Sequence, residues 1–513
     1  MFERSVKKVS ELKTYRYKSI RNLFFSFLNI IVTCFLGFLL PKLFVVNYGS
    51  DMNGLISLSG QIFSCLALLE AGIGTSALQS MYKVFASDDK NKINSILAAM
   101  NFYYKKIAFI YFVLLIFISL FVPFCINTTI SYPIIFFIFF ILGMVNVFSF
   151  YSQAKFKILL QADGKQYVTS NISLCIYIVT SVAKIVLINL KFSVIFVLSI
   201  TTFIEIMQNI LIFVYIKYNY LWIDFNVKPD YNSLKDNKFV IVHQISGLIF
   251  NNTDIILISL FCNLAYVSVY TIYKSFINQI RTITSIIENS FAFVLGQVFN
   301  VDKDLYLKLI DSFDLVFTMF NHYILSIFCV VFIPFMTLYT NSFPDSNLYV
   351  NEQLLLLFVS VELLSGYRNA MRMSINFNKH FQQTIKQSIF ESILNILFSI
   401  LLVNYFGING VLLGTIIALI YRSNDIIIYG NKRILKRSPK KSYRIYISNM
   451  LIFILLYVFK EKIFINSSNY IVLLMSTIKV SLIYGVVYLF FNVLFNYKSI
   501  IDFITYILRK NED

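Results

Sequence analysis

The residues best suited to chemistry lie in the segment 265–298. Thr271, Lys274, Asn278, Arg281, Ser285 and Glu288 follow one another at intervals of three or four, which sets all six on one stripe of a 3.6-residue helix. Phe276, Ile280, Ile283, Ile287 and Phe291 occupy the other side. At 1.5 Å per residue the stripe is about 26 Å long. A lysine and an arginine fixed along it offer charge-assisted hydrogen bonds that replace the hydration an anion loses on leaving water. A shorter stripe runs through His243, Gly247, Asn251 and Asp254, with Asn252 and Thr253 adjoining. Two uncharged faces complete the set: Asn22, Ser26, Asn29, Thr33 and Gly37, then Ser57, Gln61 and Ser64 leading to Glu70-Ala71-Gly72-Ile73-Gly74. Asp254, Glu70, Glu205 and Glu288 are the carboxylates able to take up H+ or Na+, with Asp254, Glu70 and Glu288 the leading candidates.

Each charge also has a plain structural reading. Lys42 and Lys184 sit near segment ends, where long cations reach back to the interface. Arg422 and Asp425, three apart, neutralise each other locally. Arg368 and Glu362 fit either role. Asp254 lies about 12 Å from one end of its segment and Lys274 about 15 Å from the facing end of the next, so the two are at a depth where they can pair. Six cysteines without CxxC spacing and three scattered histidines indicate no metal or other cofactor.

The elements that position these residues follow from composition. Of 513 residues 58% are hydrophobic and only 14% charged, with mean hydropathy +0.73, against about 25% charged in soluble proteins. The fold class is therefore an all-α polytopic membrane protein. Apolar stretches near the roughly 20 residues needed to span a bilayer number fourteen: 22–46, 54–81, 103–124, 132–153, 167–189, 191–217, 239–262, 265–298, 314–340, 348–374, 383–405, 409–431, 445–465 and 470–496. With the N-terminus inside, 34 of the 44 Lys and Arg fall in cytoplasmic loops and tails, and the outer loops hold only Lys191, Lys460 and Lys462. That bias places both termini in the cytoplasm and accounts for most of the net charge of +18. It leaves anionic lipid, not nucleic acid, as the partner of the basic surface. The first segment reads as an uncleaved anchor.

The expected organisation is a basic cytoplasmic tail (1–21), a six-helix lobe (22–217), a polar linker (218–238), a second six-helix lobe (239–431), a basic loop (432–444), a helix pair (445–496) and a cytoplasmic tail (497–513). An even number of helices per lobe makes any repeat parallel, and Ser87-Asp88-Asp89-Lys90 is echoed by Val301-Asp302-Lys303-Asp304. The first two helices of each lobe carry the polar faces, which fits a central cavity that they line.

Tyr48-Gly49 through Gly54-Leu55, Leu68-Leu69-Glu70-Ala71-Gly72-Ile73-Gly74-Thr75-Ser76-Ala77, Asn251-Asn252-Thr253-Asp254-Ile255-Ile256 and Phe406-Gly407-Ile408-Asn409-Gly410-Val411-Leu412-Leu413-Gly414-Thr415, together with this layout over about residues 20–430, resemble the O-antigen and polysaccharide flippases of the multidrug/oligosaccharidyl-lipid/polysaccharide exporter superfamily. The resemblance implies two pseudo-symmetric lobes around a V-shaped cavity. It also implies alternating access that carries an undecaprenyl-pyrophosphate-linked oligosaccharide from the cytoplasmic to the outer leaflet of the bacterial inner membrane, for surface polysaccharide such as lipopolysaccharide. Cavity cations would then meet the pyrophosphate, Arg281 and Lys274 being the best placed, with Asn278, Asn29, Asn251 and Arg368 completing the substrate site. H+ or Na+ would be the coupling ion, and a polysaccharide polymerase and chain-length regulator the partners. The last helix pair is similar to an addition in the lipid II flippase branch, where it helps form a groove for the lipid tail. The first span lacks the acidic residue common in drug exporters, which disfavours a cation-coupled exporter of small amphiphiles as the alternative. A membrane polymerase, glycosyltransferase or acyltransferase is less favoured still, because the outer loops are short and no His or carboxylate cluster is present.

Overall fold

A computed structural model of the protein describes residues 32–70, 72–87, 89–234, 238–299, 301–380, 382–463 and 469–509. Asn29, Ser26 and Asn22 lie outside these residues. Among the described residues the secondary structure is helical, with no strand, and ten helices are long and apolar enough to cross a membrane. The fold is that of an all-α polytopic membrane protein, and the described residues of the fourteen expected spans are mainly helical. Contacts divide the chain into two compact units, residues 1–241 and 242–513.

The first unit contains α1 (Val32–Tyr48), α2 (Ser50–Glu70, resuming as Ile73–Ala86), α3 (Lys90–Cys125), α4 (Tyr132–Ala162), α5 (Gln166–Asn189) and α6 (Val194–Asn219). α2 is interrupted where the sequence reads Glu70-Ala71-Gly72: a tight turn over Ala67–Glu70 precedes Gly72, whose φ of +89° only glycine adopts freely. The segment after α6 is a strap laid across the unit. Asn94 Nδ2 donates to the Trp222 carbonyl at 3.0 Å, Ser80 Oγ to Ser233 O at 2.9 Å, and the Asp230 amide to Ser95 O at 3.0 Å. Tyr231 stacks edge-on against Phe102 and Tyr103. The Ser233 hydroxyl, 2.6 Å away, holds the Asp230 carboxyl below its usual range.

The second unit contains all but the first turn of α7 (Lys238–Phe261), then α8 (Leu264–Val298), α9 (Lys303–Tyr339), α10 (Ser346–Phe377), α11 (Gln382–Phe406), α12 (Ile408–Ile434), α13 (Lys440–Val458) and α14 (Tyr470–Arg509). The acidic echo has a physical reason: Asp89 and Asp302 cap α3 and α9, each accepting the backbone N–H three residues on, at 3.0 and 2.9 Å. α11 and α12 form a tight hairpin turned at Gly407 (φ +55°). A Cβ on Gly410 would meet the Leu402 carbonyl oxygen at 2.2 Å and one on Gly414 the Ser399 amide at 2.4 Å, so glycine is required at this crossing.

α9 is the spine of this unit. On one side Phe313, Phe317, Ile310 and Tyr306 pack with Met371 and Leu295. On the other, Val330 meets Tyr484 and Tyr488 of α14, and Ser326 Oγ lies 2.8 Å from Tyr488 Oη. Asp311 is held at 2.6 Å by both Arg437 and Lys441, and Asp314 accepts from Tyr446 at 2.8 Å. α13 and α14 exchange amide hydrogen bonds through Asn449 and Asn492. α14 runs on to Arg509, past the expected end of its span at 496, across a break at Asn496 (φ −129°). Buried Asn496 bonds Ser448 and Asn492 there, which fixes the break.

Candidate functional site

The polar stripe of α8 faces α7, α10 and α12 within the second unit. It lines a cavity of about 260 Å³ with Asn251, Asp254, Glu362, Asn369, Arg372 and Thr415. Lys274, Asn278, Arg281, Ser285, Glu288 and Arg368 all border this cavity, so the structure gathers every expected second-unit substrate residue at one place. α8 is a continuous helix here, capped by Asn263, and the three-and-four spacing does what its period requires.

Every charge on the stripe has a partner. Lys274 Nζ donates to the Asn251 carbonyl at 2.7 Å, while the Asn251 side chain turns back to Gly247 O. Arg281 forms a two-pronged pair with Glu362, at 2.5 Å through Nη2 and 3.2 Å through Nε. The Arg281 side chain is 47% exposed and that of Glu362 only 6%. Glu288 binds Arg372 at 2.7 Å and Asn369 at 3.4 Å. Arg368, at a one-residue turn in α10, reaches Glu391 of α11 at 2.8 Å. Arg422 contacts Glu391 at 3.4 Å and Asp425 at 2.5 Å, so its pairing with Asp425 is as expected but extends to a second carboxylate.

Asp254 and Lys274 are placed differently from the pairing their depths allowed. Asp254, buried, accepts from Tyr270 Oη at 2.6 Å and lies 3.4 Å from Thr415 Oγ1. Thr415 in turn receives Asn395 Nδ2 at 2.8 Å, and Asn395 Oδ1 is buried without a hydrogen-bond partner among the described residues. Lys274 donates instead to the Asn251 backbone carbonyl. Glu70 is in the first unit, at the break in α2, where it accepts from Tyr104 Oη at 2.5 Å. Lys184 does not simply reach the interface but approaches Glu205 at 3.6 Å.

Sequence reasoning left Glu362 open to either role and passed over Arg372, Glu391 and Arg422 as members of this site. The signal was present in α10, where Glu362, Ser365, Asn369 and Arg372 repeat at three, four and three. α11 repeats it through Ser388, Glu391, Asn395 and Ser399. Without charges of one sign to draw attention, such stripes resemble ordinary helix packing.

A second, apolar recess of about 250 Å³ opens on the opposite face of α8. Phe276 and Ile280 line it with Ile324, Phe328 and Phe335 of α9 and Thr477 of α14.

No protein-family model and no curated relative matches the chain by sequence. Solved structures match it in fold. The lipid II flippase MurJ, in an inward closed conformation, superposes with a TM-score of 0.64 at 15% identity, over 93% of this chain and 100% of that one. An inward-facing multidrug resistance transporter of the MATE family, in the MOP superfamily, gives 0.62 at 15% identity over 79% and 95%. An outward-facing transporter of that kind gives 0.51 at 14% identity, over 80% and 94%. Together with the helical membrane architecture, these matches give the chain the fold seen in MurJ and in the MATE transporters.

Proposed function

We propose that the protein is a transporter that flips an undecaprenyl-pyrophosphate-linked oligosaccharide from the cytoplasmic to the outer leaflet of a bacterial cytoplasmic membrane, by alternating access, with both termini in the cytoplasm. The observation that carries this reading is the two-faced environment of α8. Lys274 and Arg281 border a polar cavity on one side, while Phe276 and Ile280 border an apolar recess on the other. A molecule with an anionic diphosphate and a long prenyl chain needs both surfaces a helix diameter apart: cations to replace lost hydration, and hydrocarbon for the tail. Asn278 and Asn251 stand beside the cations for sugar hydroxyls. The MurJ match covers 93% of this chain where the MATE match covers 79%. The difference, 14% of 513 residues or about 70, is the length of the α13–α14 pair, and this supports the lipid-flipping reading over the drug-exporting one.

Asp254 is the proposed coupling site for Na+ or H+. Its carboxylate and Thr415 Oγ1 offer oxygens of the kind a hard monovalent cation takes. Glu288 is already committed to Arg372 and Asn369, which leaves Glu70 as the other candidate. The ion site alone would equally serve a cation-coupled exporter of amphiphiles. The deciding experiment replaces Arg281 by Ala: surface polysaccharide disappears while the protein still reaches the membrane and drug susceptibility is unchanged. Normal polymer at normal protein level, or a drug-sensitive phenotype in its place, refutes the assignment. A polysaccharide polymerase and chain-length regulator are the expected neighbours in function.

A further inference from the structure

A second cavity, of about 380 Å³, adjoins the first in the second unit and shares Arg368, Arg372 and Asn251 with it. Three guanidinium groups border it, those of Arg368, Arg372 and Arg422, beside Glu391, Ser388 and Asn376. We propose that this cavity is a second anion site that binds the carboxylate of an acidic sugar, so that the transported oligosaccharide bears a uronic-acid-type residue close to its diphosphate. The inference rests on the flippase reading above and specifies its cargo.

Glu391 shows that the cavity accepts a carboxylate. Its two oxygens meet Arg368 Nη1 at 2.8 Å and Arg422 Nε at 3.4 Å, so the chain's own side chain displays the binding geometry. Donors remain after that contact. Each guanidinium offers five N–H groups in a planar fork. Arg372 spends Nη2 on Glu288, Arg422 spends Nη1 on Asp425, and Arg368 Nε is buried with no hydrogen-bond partner among the described residues. A buried donor without an acceptor is costly unless something fills the place in use. Because Glu288, Glu391 and Asp425 neutralise the three arginines, the empty site needs no counterion. An entering carboxylate must compete with them, which favours reversible binding of the kind transport requires.

The rest of the lining suits a sugar. Ser388 and Asn376 present groups for ring hydroxyls, and Phe250, which borders both cavities, offers a face for the apolar side of a pyranose. Spacing then restricts the cargo. Glu288, which holds Arg372, lies seven residues beyond Arg281 on α8, or about 10 Å along the helix. One molecule occupying both cavities therefore carries two anionic centres about that far apart, a diphosphate and an acid group one or two sugars away.

The test uses the full-length protein in nanodiscs, with ligand-observed NMR and four probes: inorganic pyrophosphate, inorganic phosphate, glucuronic acid and glucose. Glucuronic acid is expected to bind where glucose does not. Arg372→Gln should weaken it about tenfold, the value of one charge-assisted hydrogen bond, and Arg281→Gln should leave it unchanged. Pyrophosphate should depend chiefly on Arg281, with a smaller loss from Arg372→Gln because Arg372 borders both cavities. Glu391→Gln removes the internal competitor and should tighten glucuronic acid binding, a gain that misfolding cannot imitate. Glucuronic acid behaving like glucose overturns the proposal. So does equal weakening of both anions by either variant, which indicates one common site, and so does inorganic phosphate competing as well as glucuronic acid, which indicates a generic anion site. If pyrophosphate ignores Arg281→Gln while glucuronic acid still depends on Arg372, the underlying diphosphate assignment fails and the acid site stands.

Discussion

Arg281 and Glu362 form one pair, yet removing one partner should not have the same effect as removing the other. The Glu362 side chain is 6% exposed and that of Arg281 47%. Arg281→Gln strands a carboxylate that water hardly reaches, and stranding a buried charge costs about 3–5 kcal/mol. Glu362→Gln instead leaves a guanidinium that borders an open cavity and can hydrate, where losing a pair costs at most about 1 kcal/mol. At roughly 2 °C per kcal/mol for a unit of this size, the first variant should lower the melting temperature on the order of 6 °C or more and the second about 2 °C. Ligand binding should split the other way. Glu362 competes with any anion for Nη2 and Nε of Arg281, so Glu362→Gln frees donors worth about 1.5 kcal/mol each and should tighten pyrophosphate roughly tenfold. Arg281→Gln should abolish that binding. The assays are thermal unfolding in nanodiscs, read in parallel with pyrophosphate titration, and the double variant should be less destabilised than Arg281→Gln alone. Equal melting shifts for the two single variants, or weaker pyrophosphate binding by Glu362→Gln, would refute the reasoning.

Asp254→Asn keeps a hydrogen bond to Tyr270 but removes the buried charge, so cargo movement in proteoliposomes should no longer respond to a Na+ or H+ gradient while the protein stays folded; a retained response excludes Asp254 as the coupling site. Gly410→Ala places a methyl group 2.2 Å from the Leu402 oxygen and should destabilise by about 1–3 kcal/mol in thermal unfolding, whereas Gly60→Ala, with no atom within 4 Å, should not. Asn94→Ala removes the bond to the Trp222 carbonyl, and because Trp222 is the sole tryptophan, loosening of the strap should appear as a red shift of its emission. Acid should act on the same strap. The Asp230 carboxyl is depressed in the folded protein, so its contribution is complete above its ordinary value of 3.8 and is lost as pH falls through the lowered one; emission unchanged between pH 7 and 5 and shifted below 3.8 is the expected profile.

The parts of this molecule written in a single period were legible from sequence. The α8 stripe was readable because its spacing alone puts Lys274 and Arg281 on one face, and the helices followed from apolar length. What escaped was the company those residues keep. Arg281 meets Glu362, 81 positions away, and Arg368 meets Glu391 on a different helix. Periodicity fixes which way a side chain faces but not which of several polar stripes faces it, so Asp254 was open to pairing with Lys274 when Tyr270 and Thr415 were nearer. The Asp89 and Asp302 echo was visible as composition, and only the backbone showed both to be caps.

The bonds that α9 makes with the last helix pair have a consequence for biosynthesis. Asp311 and Asp314 find Lys441 and Tyr446 about 130 residues later in the chain, and Ser326 finds Tyr488 after 162. At about 5–20 residues per second, a ribosome needs roughly 8–30 s to supply that last partner. For this interval the polar face that α9 turns to the last helix pair stays unanswered. A chain that stops before α13 never receives the answer. The final two helices thus complete the hydrogen bonding of α9 only late in synthesis.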